Sequence, residues 1–111
     1  MRTTVGLSVV LAATVGLTAL VGAASPGDVD VRLFVFRPTR LEVQRGAQVG
    51  WANRDEIIHT VTAGTPEAPT DAFRLVLEGR GATGSVRFTQ PGTYAYFCER
   101  HQHMRGEIDV K

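Results

Sequence analysis

From Val29 onward, the chain consists of short runs in which apolar positions alternate with polar or aromatic ones. Residues typical of turns separate these runs. In the run Val29–Phe36, every second residue from Val29 to Val35 is aliphatic and falls on one face of an extended chain. This period of two predicts one half-buried strand over the run. No later segment sustains the 3.6-residue apolar period of an amphipathic helix. The pattern therefore predicts an all-β protein.

Six further runs of β-branched or aromatic residues predict strands at Leu41–Gln44, Val49–Asn53, His59–Ala63, Ser85–Thr89, Tyr94–Cys98 and Gly106–Val110. The segment Gly64–Gly84 contains two prolines and four glycines, so we expect mostly loop there, with FRLVLE open to a strand or a helical turn. About seven short strands, with no internal repeat, favour a single β-sandwich or barrel.

Residues 1–24 have the order of a secretory signal peptide. Arg2 is followed by the uncharged apolar run Val5–Leu20 and then by small residues that end near Ala24. We expect cleavage there, a mature domain over residues 25–111 and a periplasmic or extracellular location. The alternative is an uncleaved membrane anchor, since the run can be extended to about the 20 residues that a spanning helix needs.

The charge of the chain provides no basis for binding polyanions. Arg2 is one of 12 basic residues, and without it the basic residues only balance the 11 acidic ones. We therefore expect no nucleic-acid partner, and contact with a membrane only through an uncleaved N-terminal segment. Cys98 is the single cysteine, so a disulfide within the chain is excluded. An odd cysteine in an oxidising compartment is typical of an intermolecular bridge, a reactive thiol or a metal thiolate.

The segment CERHQHM concentrates possible metal ligands between two predicted strands. Cys98, His101 and Met104 are spaced by three residues, and His59 is the only histidine elsewhere in the chain. Two imidazoles, a thiolate and a thioether form the donor set of a trigonal His₂Cys copper site with a weak axial methionine. Structural zinc prefers four strong donors, and a thioether is a poor one. The donor types therefore predict copper.

Each of these residues also has a structural interpretation when it is taken alone. A single cysteine or methionine in a small sandwich is often buried as an apolar side chain. His103 is expected to be a partly exposed, spare histidine, and its replacement of His101 as a ligand is the alternative. Trp51 and Phe97 are interpreted as core residues rather than as electron relays.

Two segments of the chain resemble the cupredoxins, the small blue copper proteins, and among them the amicyanin, plastocyanin and pseudoazurin group. PGTYAYFCERHQHMRGEIDV is similar to the closing motif of that family, and VGWANRDEIIHTV is similar to the segment that carries its first histidine. The resemblance covers nearly all of Val29–Lys111. It implies a Greek-key β-sandwich or barrel and one type 1 copper.

The resemblance also implies roles for individual residues. His59, Cys98 and His101 would be equatorial ligands and Met104 the axial one, with Asn53 and Thr60 around them. The chain departs from the family in two places. Thr60 stands where many members have Asn, which puts in doubt the hydrogen bond by which that Asn usually fastens the ligand loop. Gln102-His103 replaces a Pro-aromatic pair, which predicts a more polar surface around the exposed ligand.

The function implied is a periplasmic or secreted one-electron carrier between redox protein partners, a monomer and not an enzyme. His101 is the expected route for the electron. The alternative is a copper carrier or resistance protein that binds and releases the ion. A weaker alternative is an enzyme with Cys98 as nucleophile and a histidine as base.

Overall fold

The computed structural model describes residues 27–111, and in this range the chain is entirely β-structure and turns. The predicted signal segment, residues 1–24, lies outside the described residues. Residues 27–111 include no helix of the length and hydropathy that crossing a bilayer requires. The strands of the described range are β1 Val29–Arg32, β2 Val35–Arg37, β3 Arg40–Val43, β4 Gln48–Asn53, β5 Ile58–Thr65, β6 Ala68–Glu78, β7 Thr83–Arg87, β8 Gly92–Phe97 and β9 Arg105–Val110.

The strands form two sheets with the orders β2-β1-β4-β7 and β3-β9-β8-β5-β6. Strand β1 runs parallel to β4, and β3 runs parallel to β9, while all other pairs are antiparallel. The chain crosses repeatedly between the sheets, so sequence neighbours often lie in different layers. This arrangement confirms the predicted all-β Greek-key sandwich.

The core lies between the two sheets and is built around large aromatic side chains. Trp51 of one sheet and Tyr96 of the other are buried and meet edge to face, with ring centroids 5.5 Å apart. Phe36 contacts the Tyr96 ring from another side at 4.7 Å. Gly106 of the adjacent strand lies under that ring, where a Cβ would come within 2.3 Å of the Tyr96 Cζ. The bare backbone at this position is therefore part of the packing.

The prediction of one continuous strand over Val29–Phe36 is wrong. The chain reverses at Leu33 and Phe34, which both have positive φ angles of 52° and 59°. The reversal makes β1 and β2 an antiparallel pair in which Val31 faces Phe36, and both side chains are buried. Leu33, predicted for the inner face, is instead 70% exposed at the tip of this hairpin.

The prediction of mostly loop over Gly64–Gly84 is also wrong. Residues Ala68–Glu78 form β6, the longest strand, which pairs with β5 at the edge of its sheet. The alternative that left FRLVLE open to a strand is confirmed. Phe73, Leu75 and Leu77 point towards the core, and the residues between them are exposed. The six other predicted strands are present, and none of their ends is shifted by more than two residues.

Candidate metal centre

Three of the predicted donor residues converge at one end of the sandwich. The possible ligand atoms of His59, Cys98 and His101 all lie within 4.8 Å of one another. The Cys98 Sγ lies 3.7 Å from the His59 Nδ1 and 3.8 Å from the His101 Nδ1. Cys98 and His59 are fully buried, and His101 is partly exposed. The structure thus brings together an imidazole from mid-sequence and two donors from near the end of the chain.

His59 is oriented by a carboxylate. Its Nε2 lies 2.8 Å from the Asp55 Oδ2, so this nitrogen carries the ring proton and donates a hydrogen bond to the Asp55 carboxylate. In the neutral ring the Nδ1 then keeps its lone pair, which faces the Cys98 Sγ. Carboxylates that fix the tautomer of a ligating histidine are a recurrent feature of metal sites.

Asp55 also holds the tip of the β1–β2 hairpin. Its Oδ1 accepts a hydrogen bond from the Leu33 N–H at 2.8 Å, and its Oδ2 accepts one from the Phe34 N–H at 3.1 Å. Burial raises the pKa of Asp55, but the hydrogen bonds from Phe34, Leu33 and His59 outweigh burial and leave the pKa below its ordinary value. Asp55 is therefore an anion that stabilises the hairpin and the His59 ring together.

Asn53, expected near the ligands, shapes the loop that leads to His59. Its buried side chain donates to the carbonyl oxygens of Ile57 and Leu77 at 2.9 and 3.1 Å, and it accepts from the Asp55 N–H at 2.9 Å. Asn53 therefore acts on the position of Asp55 rather than as a donor to the thiolate.

The Cys98 sulfur receives a hydrogen bond from the backbone. The Thr60 N–H donates to the Cys98 Sγ at 3.4 Å, and the Thr60 hydroxyl accepts from the Glu99 N–H at 2.8 Å. The replacement of Asn by Thr put in doubt the hydrogen bond that fastens the ligand loop. That hydrogen bond is present, and the Thr60 hydroxyl takes the place of the Asn amide. A hydrogen bond to the thiolate is one of the interactions that tune the potential of such a site.

Met104 is buried at 2% exposure and belongs to the same core cluster as Cys98. The loop between them is closed by two backbone hydrogen bonds. The Cys98 N–H donates to the Met104 carbonyl at 3.1 Å, and the Met104 N–H donates to the His101 carbonyl at 2.9 Å. These bonds give the six-residue step from cysteine to methionine a fixed shape.

Phe34 packs on both histidines of the site. Its ring meets His59 edge to face at 5.4 Å and His101 at 4.9 Å, and the two histidine rings lie 5.3 Å apart. Burial, followed by the neighbouring His59, His103 and Arg100, lowers the pKa of His101, which favours the neutral ring. His103 itself is exposed, as expected for the spare histidine.

Glu99, the residue after the cysteine, is held by an arginine of strand β6. The Arg74 guanidinium binds both carboxylate oxygens, at 2.5 and 3.0 Å, and the Thr62 hydroxyl donates to the same carboxylate at 2.5 Å. The hydrogen bond from Arg74, followed by that from Thr62, lowers the pKa of Glu99 to about 2. This network fastens the ligand loop to the edge of the sheet.

Several residues around the site were missed from the sequence, namely Phe34, Asp55, Thr62, Arg74 and Glu99. Only Asp55 carried a usable signal, because a carboxylate four residues before a candidate ligand is within reach of its ring. Phe34 comes to the site through the unpredicted hairpin, and Arg74 lies in FRLVLE, for which a strand was only one of two alternatives. Their contacts depend on strand pairing rather than on local spacing.

The fold and the cluster of donors define a small β-sandwich protein with a copper site, and comparison with known proteins agrees. Residues 26–111 match the family described as copper binding proteins, plastocyanin/azurin family. The chain belongs to this family. A plastocyanin of Scenedesmus fuscus is 33% identical over 98 residues, which cover 76% of this chain and 100% of that protein. Amicyanin-alpha of Methylorubrum extorquens is 29% identical over 107 residues, which cover 94% of this chain and 89% of that protein.

Solved structures agree with the fold. A purple cupredoxin from Nitrosopumilus maritimus superimposes with a TM-score of 0.68 at 20% identity, over 75% of this chain and 97% of that one. A variant of amicyanin in its reduced Cu(I) form at pH 4 gives a TM-score of 0.65 at 30% identity, over 75% of this chain and 79% of that one.

The residues present fit copper. Two imidazole nitrogens and one buried sulfur face a common centre, and the protonated nitrogen of His59 is turned away towards Asp55. Soft sulfur with imidazole nitrogen suits both oxidation states of copper. The family and the donor set together confirm copper, predicted from the donor types, as the cofactor.

Proposed function

We propose that this protein is a mononuclear type 1 copper protein that carries single electrons between redox protein partners, in the periplasm or outside the cell. The convergence of His59, Cys98 and His101 on one centre, with the cysteine fully buried, is the observation that supports it. In this proposal one copper binds per chain, and residues 1–24 are a signal peptide for export. The chain acts as a monomeric carrier rather than as an enzyme.

The proposed ligands are the Nδ1 atoms of His59 and His101, the Cys98 sulfur and, as the axial ligand, the Met104 thioether. The first three are supported by their mutual distances. Met104 is supported by its burial beside Cys98 and by the short loop that ties the two residues together. This set matches the trigonal His₂Cys site with a weak axial methionine that is typical of blue-copper electron transfer.

Bound copper supplies a one-electron couple. The chain's own residues keep these donor atoms in one arrangement before and after the electron moves, because hydrogen bonds hold two of the donors, the His59 ring and the Cys98 sulfur. Asp55 fixes the His59 ring, and the Thr60 N–H fixes the Cys98 sulfur. Three of the four proposed ligand residues, His59, Cys98 and Met104, are buried, so water has little access to rearrange around them. Small rearrangement favours rapid transfer.

The proposed route for the electron is the partly exposed edge of His101. Phe34, which is 39% exposed, packs against that ring, and Leu33, which is 70% exposed, lies next to it at the hairpin tip. These side chains give a partner a small apolar contact area beside the ligand, despite the polar Gln102-His103 pair. A small apolar contact suits the brief encounters of redox proteins.

The competing function is a copper carrier that releases its ion. The burial of His59 and Cys98, and the hydrogen bond that holds each of them, favour retention over release. The two functions differ in measurable exchange. A carrier loses copper to a competing chelator within the time of mixing, whereas an electron carrier keeps it and cycles reversibly at an electrode.

The test is to add Cu(II) to the purified protein and to record its visible spectrum, its reversible reduction by ascorbate and its copper content. An intense visible band that ascorbate bleaches is expected from thiolate ligation. Cys98→Ala should lose the band, and Met104→Leu should keep copper and raise the potential. A Cys98→Ala protein that remains coloured would refute the proposed ligand set. Mass spectrometry of the native protein tests cleavage near Ala24.

A further inference from the structure

A closed ring of hydrogen bonds joins strand β5 to the residue that follows Cys98. The Glu99 N–H donates to the Thr60 Oγ1 at 2.8 Å, and that oxygen lies 3.0 Å from the Thr62 Oγ1. The Thr62 hydroxyl donates to the Glu99 Oε2 at 2.5 Å. The ring therefore starts at the backbone of Glu99 and ends on the side chain of the same residue.

The chemistry of the groups fixes the direction of every hydrogen bond in this ring. An ionised carboxylate only accepts, so the single hydroxyl proton of Thr62 goes to Glu99. The Thr62 oxygen must then accept from the Thr60 hydroxyl, whose oxygen accepts from the Glu99 N–H. Each hydroxyl donates once and accepts once, an arrangement in which neighbouring hydrogen bonds strengthen one another.

The two threonine residues of the ring are buried. Thr60 and Thr62 are only 3% and 5% exposed, so a hydroxyl that loses its partner finds little replacement. On the outer side, Arg74 binds both oxygens of the Glu99 carboxylate. Thr62 and Arg74 are cross-strand partners on β5 and β6, so pairing of these strands sets the distance between the two groups that hold Glu99.

Thr60 connects this ring to the sulfur. Its hydroxyl holds the Glu99 N–H, while its own N–H donates to the Cys98 Sγ at 3.4 Å. The same residue thus holds the Cys98–Glu99 segment at two successive positions. Any movement of Glu99 away from β5 also changes the hydrogen bond that the sulfur receives.

We propose that Thr60, Thr62 and Glu99 are positioning residues that place the Cys98 sulfur before any metal binds, and that the closed ring is what holds it. This inference rests on the proposed role of Cys98 as a copper ligand. Arg74 binds the Glu99 carboxylate from outside the ring but is not a member of it. The ring therefore sets the strength of the N–H···S hydrogen bond, and through it the reduction potential.

The experiment measures hydrogen exchange of the Glu99 amide by NMR in the copper-free full-length protein. Thr62→Val removes the hydroxyl that closes the ring, and we expect exchange to become about tenfold faster, the factor that one lost hydrogen bond of about 1.4 kcal/mol gives. Thr62→Ser keeps the hydroxyl and should restore slow exchange. Thr93→Val, on an exposed position of β8 in the same sheet, is the matched control and should leave it unchanged.

A second readout is the reduction potential of the copper-loaded variants. Thr62→Val should lower the potential because it weakens the hydrogen bond to the sulfur, and Thr62→Ser should keep it. Arg74→Gln, a surface change that leaves both hydroxyls in place, should speed Glu99 exchange less than Thr62→Val does. The Glu99 exchange rate can therefore still be tested in Arg74→Gln if Thr62→Val does not fold.

Exchange of the Glu99 amide within twofold of the wild-type rate in Thr62→Val, or equal acceleration in Thr62→Ser, would overturn the proposal. The two proposals fail separately. A protein without copper colour contradicts the proposed function, while the exchange pattern of the copper-free protein still decides whether the ring holds the loop.

Discussion

The Nε2 of His59 lies 2.8 Å from the Asp55 Oδ2, and the same carboxylate accepts two backbone N–H groups at the tip of the β1–β2 hairpin. One anion therefore sets both the tautomer of a proposed copper ligand and the shape of the adjacent surface. Neither residue is near the Cys98 loop in sequence. This contact shows that the proposed copper site is organised by the hairpin as well as by the ligand segments.

Asp55→Asn should weaken copper binding by about 10- to 100-fold, the range observed when groups that orient a metal ligand are removed. The amide has one accepting oxygen, so it cannot serve His59, Leu33 and Phe34 as the carboxylate does. Competition titration with a chelator of known affinity measures the change. Asp71→Asn, on an exposed part of β6, is the control and should bind copper as the wild type does. Equal affinities for the Asp55 and Asp71 variants would contradict the orienting role.

Leu33→Asn should stabilise the copper-free protein by about 0.5–1 kcal/mol. Leu33 is 70% exposed and has a φ of 52°, a conformation that Asn adopts at less cost than an aliphatic residue. Urea denaturation measures the free energy of unfolding. Val76→Asn, at another exposed apolar residue but in a strand, should give no gain. If Leu33 contacts partners as proposed, the same change should slow electron transfer to them, a trade of function for stability.

Gly106→Ala should destabilise the fold by about 1–3 kcal/mol, the usual cost of overpacking a tight core. The added Cβ would lie 2.3 Å from the Cζ of the buried Tyr96 ring, so the backbone or the ring must move. Thermal and urea unfolding of the copper-free protein measure the effect. In a Tyr96→Leu background the same change should cost less, because the ring is gone. Additive costs in this double-mutant cycle would show that the Tyr96 ring is not the obstacle.

The stability of the copper-free protein should fall as the pH is lowered from about 4.5 towards 2. Arg74 and Thr62 lower the pKa of Glu99 to about 2 in the folded state, below the ordinary value of 4.5. A carboxylate with a lowered folded-state pKa stabilises the fold fully above its unfolded pKa and loses this effect as it is protonated. Its side chain is 34% exposed, so screening by solvent reduces the size of the effect.

Urea denaturation at pH 6 and pH 3 tests this dependence, with Arg74→Gln as the diagnostic variant. Without the guanidinium, the folded and unfolded pKa values of Glu99 move closer, so the variant should lose less stability between the two pH values than the wild type does. Arg32→Gln, at an exposed position of β1, is the control and should follow the wild type. Parallel pH profiles for the wild type and Arg74→Gln would rule out Glu99 as the source.

Most of the sandwich could be predicted from the sequence because its strands alternate locally between apolar and polar residues. The hairpin reversal and the first half of strand β6 could not be predicted. The reversal at Leu33 and Phe34 carries no Gly, Asn or Asp, and the period of two continues through the turn without interruption. It is stabilised by Asp55, a residue more than twenty positions away. Strand β6 lies at the sheet edge and begins with the exposed residues APTDA, which are small, polar or proline, so its first half has the composition of a loop.

The residues of the site also divide into those that could be predicted from the sequence and those that could not. Cys98, His101 and Met104 could be predicted from short-range spacing, and His59 could be found because it is the only histidine elsewhere. Most groups around these donors could not, since Phe34 arrives through the unpredicted hairpin, and Arg74 in a segment left open between a strand and a helical turn. Thr60 was expected near the ligands, but its hydroxyl fastening Glu99 is visible only from the pairing of β5 with its neighbours. The fine structure of the site is thus a product of tertiary contacts.

The hairpin tip at Leu33 and Phe34 has a further consequence for how such proteins diverge. Its side chains form the proposed surface that a partner touches, and its backbone is bound by the carboxylate that orients a metal ligand. Substitutions at this tip that change the proposed contact with a partner therefore also act on Asp55, and through it on the proposed ligand His59. In this chain, replacing the hairpin tip should therefore change the proposed contact surface and the hydrogen bonds of the His59 carboxylate partner together.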